Sequence, residues 1–86
     1  MMNMHRINRF CLLTRTPARC RRAADLLARF GRLSHNHALV ELSNAMVELG
    51  HAQIYSRIGE HATARRHAET HMYFCRRAVR IAEGGS

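Results

Sequence analysis

Lysine is absent from this 86-residue chain, proline occurs once, and acidic residues number six against 14 arginines. Without lysine, every cation is a planar guanidinium, a fork that fits phosphate, carboxylate and aromatic faces. The shortage of acid leaves a net charge of +8 and a pI near 11.3. That balance points to an acidic partner: nucleic acid, an anionic membrane or an acidic protein surface. No apolar run nears the ~20 residues that cross a bilayer, so no membrane span is expected. "FCLL", residues 10–13, is too short for the apolar segment of a signal peptide. Cys11, Cys20 and Cys75 are odd in number and widely spaced, which excludes a disulfide framework. Free thiols suit a reducing compartment, and a cytoplasmic location is expected. Glycine-rich phosphate loops, nucleophile elbows and paired carboxylates are all missing. The expectation is therefore a protein that is not an enzyme and carries no cofactor.

A chain this short buries roughly 60 to 65% of the surface that its unfolded form exposes. One domain is expected, with self-association or a partner adding to its stability. Hydrophobic residues make up 47% without low-complexity tracts, which favours a folded chain over a disordered one. The lone proline and most of the five glycines fall at plausible helix ends. The charge is uneven: residues 1–32 carry eight arginines against Asp25, whereas residues 33–59 carry Arg57 against Glu41 and Glu48.

The pattern predicts an all-α fold. It reads as a three-helix arrangement built on a long antiparallel helical hairpin, preceded by a short irregular basic N-terminal arm. Residues 1–15 show no clean periodicity and read as that loose arm. Residues 1–24 lack acids and hold six arginines, a composition shared with mitochondrial presequences; the reading adopted is a disordered basic arm. Residues 16–84 read as a single helical domain with helices at about 17–30, 36–57 and 60–82.

Thr16-Pro17 starts the first of these helices, with threonine as N-cap and proline at the first helical position. Cys20, Ala23, Ala24, Leu27 and Phe30 follow helical spacing, and Gly31 is the expected stop. Ser34 or Asn36 caps the second helix. At about 100° per residue, Leu39, Leu42, Met46 and Leu49 cluster on one side. Ala38, Ala45 and Ala52 widen that face one way, and Val40, Val47, Ile54 and Ile58 widen it the other way. A helix so apolar is expected to be covered on two sides. Ser43 and Gly50, one heptad apart, offer a groove to a close neighbour. Gly59 breaks the chain. The third helix then carries a stripe of mostly small residues, Ala64, Ala68, His71, Cys75, Ala78 and Ala82, flanked by Met72, Phe74 and Val79.

"YSRIGEHATA", residues 55–64, places Tyr55, Gly59, Glu60 and Ala64 at the intervals of a known turn. It resembles the mid-repeat turn of the tetratricopeptide repeat family, over roughly thirty residues and in a single copy. The resemblance implies a helical-hairpin adaptor. Residues 35–42, where a helix-turn-helix would carry its recognition segment, hold no arginine, which argues against reading of the major groove.

Seven histidines raise the question of a metal. His67, His71 and Cys75 stand four residues apart and form the candidate ligand set. No Cys-x2-Cys or His-Glu-x2-His pattern accompanies them. His71 and Cys75 fall near the centre of the apolar stripe, so the reading adopted is a packed helix face. A buried, neutral His71 would make stability fall below a pH of about 6.5. His71 and Cys75 also form a conceivable base–nucleophile pair, but no third, orienting group is evident.

The function expected is that of a small helical interaction module of adaptor, inhibitor or accessory type. It would contact an acidic protein partner, or a second copy of itself as a homo-oligomer, through apolar faces and arginines. The candidate contact residues are Arg19, Arg22, Arg29, Arg66, Tyr73, Arg76, Arg77 and Arg80. The candidate apolar interface or core is Leu39, Leu42, Met46, Val47, Leu49, Ile54, Ala68, Cys75 and Val79. The alternatives are sequence-tolerant nucleic-acid binding through arginine and Tyr73, and transition-metal binding through His67, His71 and Cys75.

Overall fold

A computed structural model describes residues 2–84. Among them are four α-helices and no strand: α1 Met4–Leu13, α2 Pro17–Leu33, α3 His37–Arg57 and α4 His61–Ala82. None is long and apolar enough to cross a membrane. At ~1.5 Å rise per residue, α4 alone spans about 33 Å, which sets the long axis of a body measuring 38 × 21 × 18 Å.

The first helix corrects the expectation of a loose arm. Asn3 caps it, its side chain accepting from the Arg6 amide at 2.9 Å. Ile7 is buried, and Met4, Phe10 and Cys11 pack against the same core. The spacing of residues 4, 7 and 11 is helical, but Arg6 and Arg9 dilute it to the eye. Thr14 ends α1, and its carbonyl pins the corner: it accepts from Gln53 Nε2 at 2.9 Å and from the Cys20 thiol at 3.0 Å.

Thr16 caps α2 as expected, accepting from the Arg19 amide with Pro17 behind it. Gly31 is not the stop. The helix runs on to Leu33, and His35 makes the turn at φ 53°. The Asn36 amide donates to the Gly31 carbonyl at 2.7 Å and that of His35 to Arg32 at 3.3 Å, the paired bonds of a Schellman ending. Asn36 then serves twice, because its side chain caps α3 through the Leu39 amide. The same paired ending recurs after α3. Gly59 sits at φ 82°, and the Glu60 amide donates to Tyr55 O at 2.9 Å.

Gly31 is glycine for another reason. A Cβ there would stand 2.8 Å from the Val40 side chain and 3.0 Å from its amide nitrogen. Ser43 donates to the Ala24 carbonyl at 2.8 Å. Gly50 faces Cys20 with room for a Cβ only at 3.3 Å. Small residues thus let α2 and α3 approach closely and run antiparallel. On its other side α3 meets α4: Tyr55 and Glu48 reach His67, Ala45 reaches His71 and Glu41 reaches Arg77. Numbers fall on α3 as they rise on α4, so these two are antiparallel as well.

Leu42 and Met46 are buried between the helices with Ala24, Ala45, Cys75 and Ala78. Leu39, Leu49 and Val79 are half-buried, whereas Val47, Ile54 and Ala68 are exposed. Ala68 therefore leaves the core expected for it. Phe30 leaves it too, at 60% exposure. The inner line of α2 is Cys20, Ala24, Leu27 and Gly31, and residue 30 lies about 80° around the helix from that line.

Gly31→Ala is expected to lose about 1–3 kcal/mol through overpacking against Val40, although alanine is the better helix former by ~1 kcal/mol. His35→Gly is expected to gain up to about 1 kcal/mol by relieving a left-handed backbone. Urea unfolding followed by circular dichroism measures both. A stabilised Gly31→Ala would contradict the packing described.

Candidate functional site

Three groups of side chains carry chemistry outside ordinary core packing. The first is a groove between α1 and α2. Its walls are Phe10, Leu13, Ala23, Leu26, Leu27 and Phe30, with Arg19 and Arg22 at its rim, and it encloses about 310 Å³. Leu13, Leu26 and Phe30 are 69, 47 and 60% exposed. No acidic residue lines it. A second cleft, between α2 and α3, contains the exposed Val47 and Ile54 beside Arg21, Arg22 and Asp25.

The predicted contact arginines do not form one patch. Arg19 and Arg22 line the groove, and Arg29 is exposed elsewhere on α2. Arg66, Arg76 and Arg80 are exposed on α4. Arg77 is engaged by Glu41, Nε to Oε2 at 2.6 Å. Tyr73 is exposed and packs edge-on against Phe74, with ring centroids 5.4 Å apart.

The second group replaces one member of the predicted ligand set. His71 Nδ1 lies 2.8 Å from the Ala45 carbonyl. A carbonyl only accepts, so Nδ1 carries the hydrogen and Nε2 is directed elsewhere. Nε2 is 3.6 Å from Cys75 Sγ and 3.8 Å from Cys11 Sγ. Cys11, sixty residues away in sequence, was not legible as a neighbour, because its helix was not expected. A hydrogen bond from Cys75, with further help from His71, holds the Cys11 thiol down to about 5 against the opposing effect of burial. The same bond and burial push Cys75 up. Burial alone would lower His71, but its bonds to Cys11 and the Ala45 carbonyl, together with the charges of Cys11 and Glu48, raise it above 6.5. This reverses the sign expected from sequence. Cys20, away from this cluster, is pushed up by burial.

The third group holds His67, which turns away from His71. Its Nδ1 bonds Glu48 Oε2 at 2.6 Å, and Tyr55 stacks on its ring at 5.3 Å and 4°. One ligand atom each of Glu48, His51 and His67 lie within 4.8 Å of one another. His35 and His37 are exposed at the α2–α3 turn.

With the Cys11 thiol held down to about 5, iodoacetamide is expected to alkylate it first in the reduced protein, with a rate midpoint near pH 5. Cys20 and Cys75, buried and pushed up, should lag by at least about tenfold. Peptide mass spectrometry resolves the three, and equal rates would refute the arrangement. Stability should follow the same groups. His71, raised, contributes stability that is full below 6.5 and is lost as pH rises through its folded value. Cys11, lowered from 9.0 to about 5, contributes stability that is full above 9 and is lost as pH falls through about 5. Above pH 6.5 the two slopes oppose each other; below it the His71 contribution is complete and only the loss from Cys11 remains, so the melting temperature should fall more steeply between pH 6.5 and 5 than between 8 and 6.5. A melting temperature that stays level from pH 6.5 to 5 would count against it.

Comparison with protein-family models, characterised proteins and solved structures gives no match.

Proposed function

We propose that this chain is a non-enzymatic helical interaction module that docks an acidic, amphipathic helical segment of a protein partner in the α1–α2 groove. The observation that carries the reading is the pairing of exposed Leu13, Leu26 and Phe30 with Arg19 and Arg22 in a groove without acid. Large apolar side chains left in water on a small domain mark an interaction surface. A groove beside a helix accepts the side chains at i, i+3, i+4 and i+7 of a second helix. Its volume of about 310 Å³ is at the small end of ligand pockets and suits a few anchoring side chains. The arginine rim selects carboxylates on the flanks of such a helix and raises its association rate. The rim also disfavours a second copy of the chain, since two faces of the same sign repel in a protein of charge +8. The free thiols fit a cytoplasmic setting.

Nucleic-acid binding is the second reading, favoured by exposed Tyr73 among Arg66, Arg76 and Arg80 on α4. It is ranked lower because Arg77, the nearest of the predicted set to Glu41, is already neutralised.

The test is fluorescence anisotropy with a labelled helical peptide of about 15 residues, leucines on one face and glutamates flanking them. Binding is expected in the micromolar range. Phe30→Ala should weaken it at least about tenfold, and Arg19→Glu with Arg22→Glu should abolish it. Indifference to both changes would overturn the reading. So would tighter binding of random duplex DNA, with a log–log salt slope of several units, lost on Arg66→Glu/Arg80→Glu.

A further inference from the structure

We propose that Cys11, His71 and Cys75 form a binding site for one thiophilic transition-metal ion, zinc being the best fit. The geometry is the starting point. A tetrahedral zinc with Zn–S of ~2.3 Å and Zn–N of ~2.0 Å sets an N···S edge of about 3.6 Å. The two observed edges, from His71 Nε2 to Cys75 Sγ and to Cys11 Sγ, are 3.6 and 3.8 Å. The imidazole is already oriented for ligation. Its Nδ1–H is committed to the Ala45 carbonyl at 2.8 Å, so Nε2 is the nitrogen that faces the sulfurs and ligates once any proton on it has left. Metal-bound histidines are held by this kind of outer bond, which fixes both tautomer and ring plane.

Burial adds a second argument. Cys75 is fully buried and His71 nearly so, so both are held by the α3–α4 packing before any ion arrives. Cys11 is half-buried and gives the ion a path from solvent past α1. Two thiols and an imidazole form a soft set that favours zinc over magnesium or calcium.

Binding is a ligand exchange without electron transfer. The Cys75 S–H bond breaks, as do the Cys11 S–H and His71 Nε2–H bonds wherever those groups are protonated, and the protons go to solvent. Two Zn–S bonds and one Zn–N bond form, and the Nδ1 proton stays on His71.

The Glu48, His51 and His67 group is the competing location. It is partly exposed, and its shortest contact is already satisfied as a histidine–carboxylate hydrogen bond under Tyr55. Its donors are harder, and it holds no thiol.

Calorimetry of the reduced, full-length protein with zinc chloride near pH 7 should give one equivalent bound with Kd below about 1 µM. Cobalt(II) in place of zinc should show a thiolate-to-cobalt charge-transfer band in the near ultraviolet. Zinc should also slow the alkylation of Cys11. Cys11→Ser, made at a half-buried position, should weaken binding at least about 100-fold, whereas His51→Ala should leave it unchanged. Affinity weaker than about 10 µM would overturn the site. Tight binding that survives Cys11→Ser and disappears in His51→Ala would overturn it too, by assigning the ion to the other group. The cobalt band needs no variant, so a misfolded mutant cannot obscure the result.

Discussion

A helix apolar on nearly every side has no stable place in water, and α3 is that helix. It carries Leu39, Leu42, Met46 and Leu49 down one side, alanines on the next and Val40, Val47 and Ile54 on the third. Covering it takes two neighbours, and the neighbours are shaped for the purpose. From α2, Cys20 and Ala24 come close because Gly50 and Ser43 are small, and Gly31 comes close because it has no side chain to meet Val40. From α4, Ala64, Cys75 and Ala78 are buried against it. α1 then closes the remaining gap with Ile7. What stays uncovered, Val47 and Ile54 on α3 and the α1–α2 groove, follows from the same constraint. Four short helices have too few faces to bury every apolar side chain.

The core pays for its polar members with hydrogen bonds. Thr14, Ser43 and His71 are the buried polar residues, and among the described residues no buried side-chain nitrogen or oxygen lacks a partner. Two of these bonds join helices directly: Ser43 ties α3 to α2, and His71 ties α4 to α3. Such bonds fix one register, since a slipped helix would leave a buried donor unmatched at a cost of about 1–3 kcal/mol. The Thr14 carbonyl does the same for the α1–α2 corner. His71 is therefore first a register pin, and its Nε2 faces the two thiols as a consequence.

Local signals are legible in the sequence where one residue decides a conformation. Thr16-Pro17 begins α2, Asn36 caps α3, and Gly59 makes the turn before α4. Gly31 departs from its expected role because a glycine near a helix end looks like a stop. It is a contact glycine, and the residue in the left-handed conformation is His35, whose identity carries little such signal. α1 is not legible in the sequence because arginines interrupt a short apolar spacing and nothing before Asn3 announces a helix. That one omission hid Cys11 from His71, and the α1 wall from the groove. His67 was grouped with His71 by spacing alone, but residues four apart share a face only roughly. A carboxylate on the neighbouring helix, Glu48, drew it away. Contacts between distant segments of this kind depend on how helices dock, which periodicity does not encode.

Amide hydrogen exchange followed residue by residue tests the central role of α3 most directly. If α3 is the element that the others exist to cover, its amides around Leu42, Ala45, Met46 and Leu49 should be the slowest in the chain and exchange only through global unfolding. The amides of α1, held by fewer side chains, should open first. Exchange in the middle of α3 as fast as in α1, or slower exchange in α4 than in α3, would contradict the account.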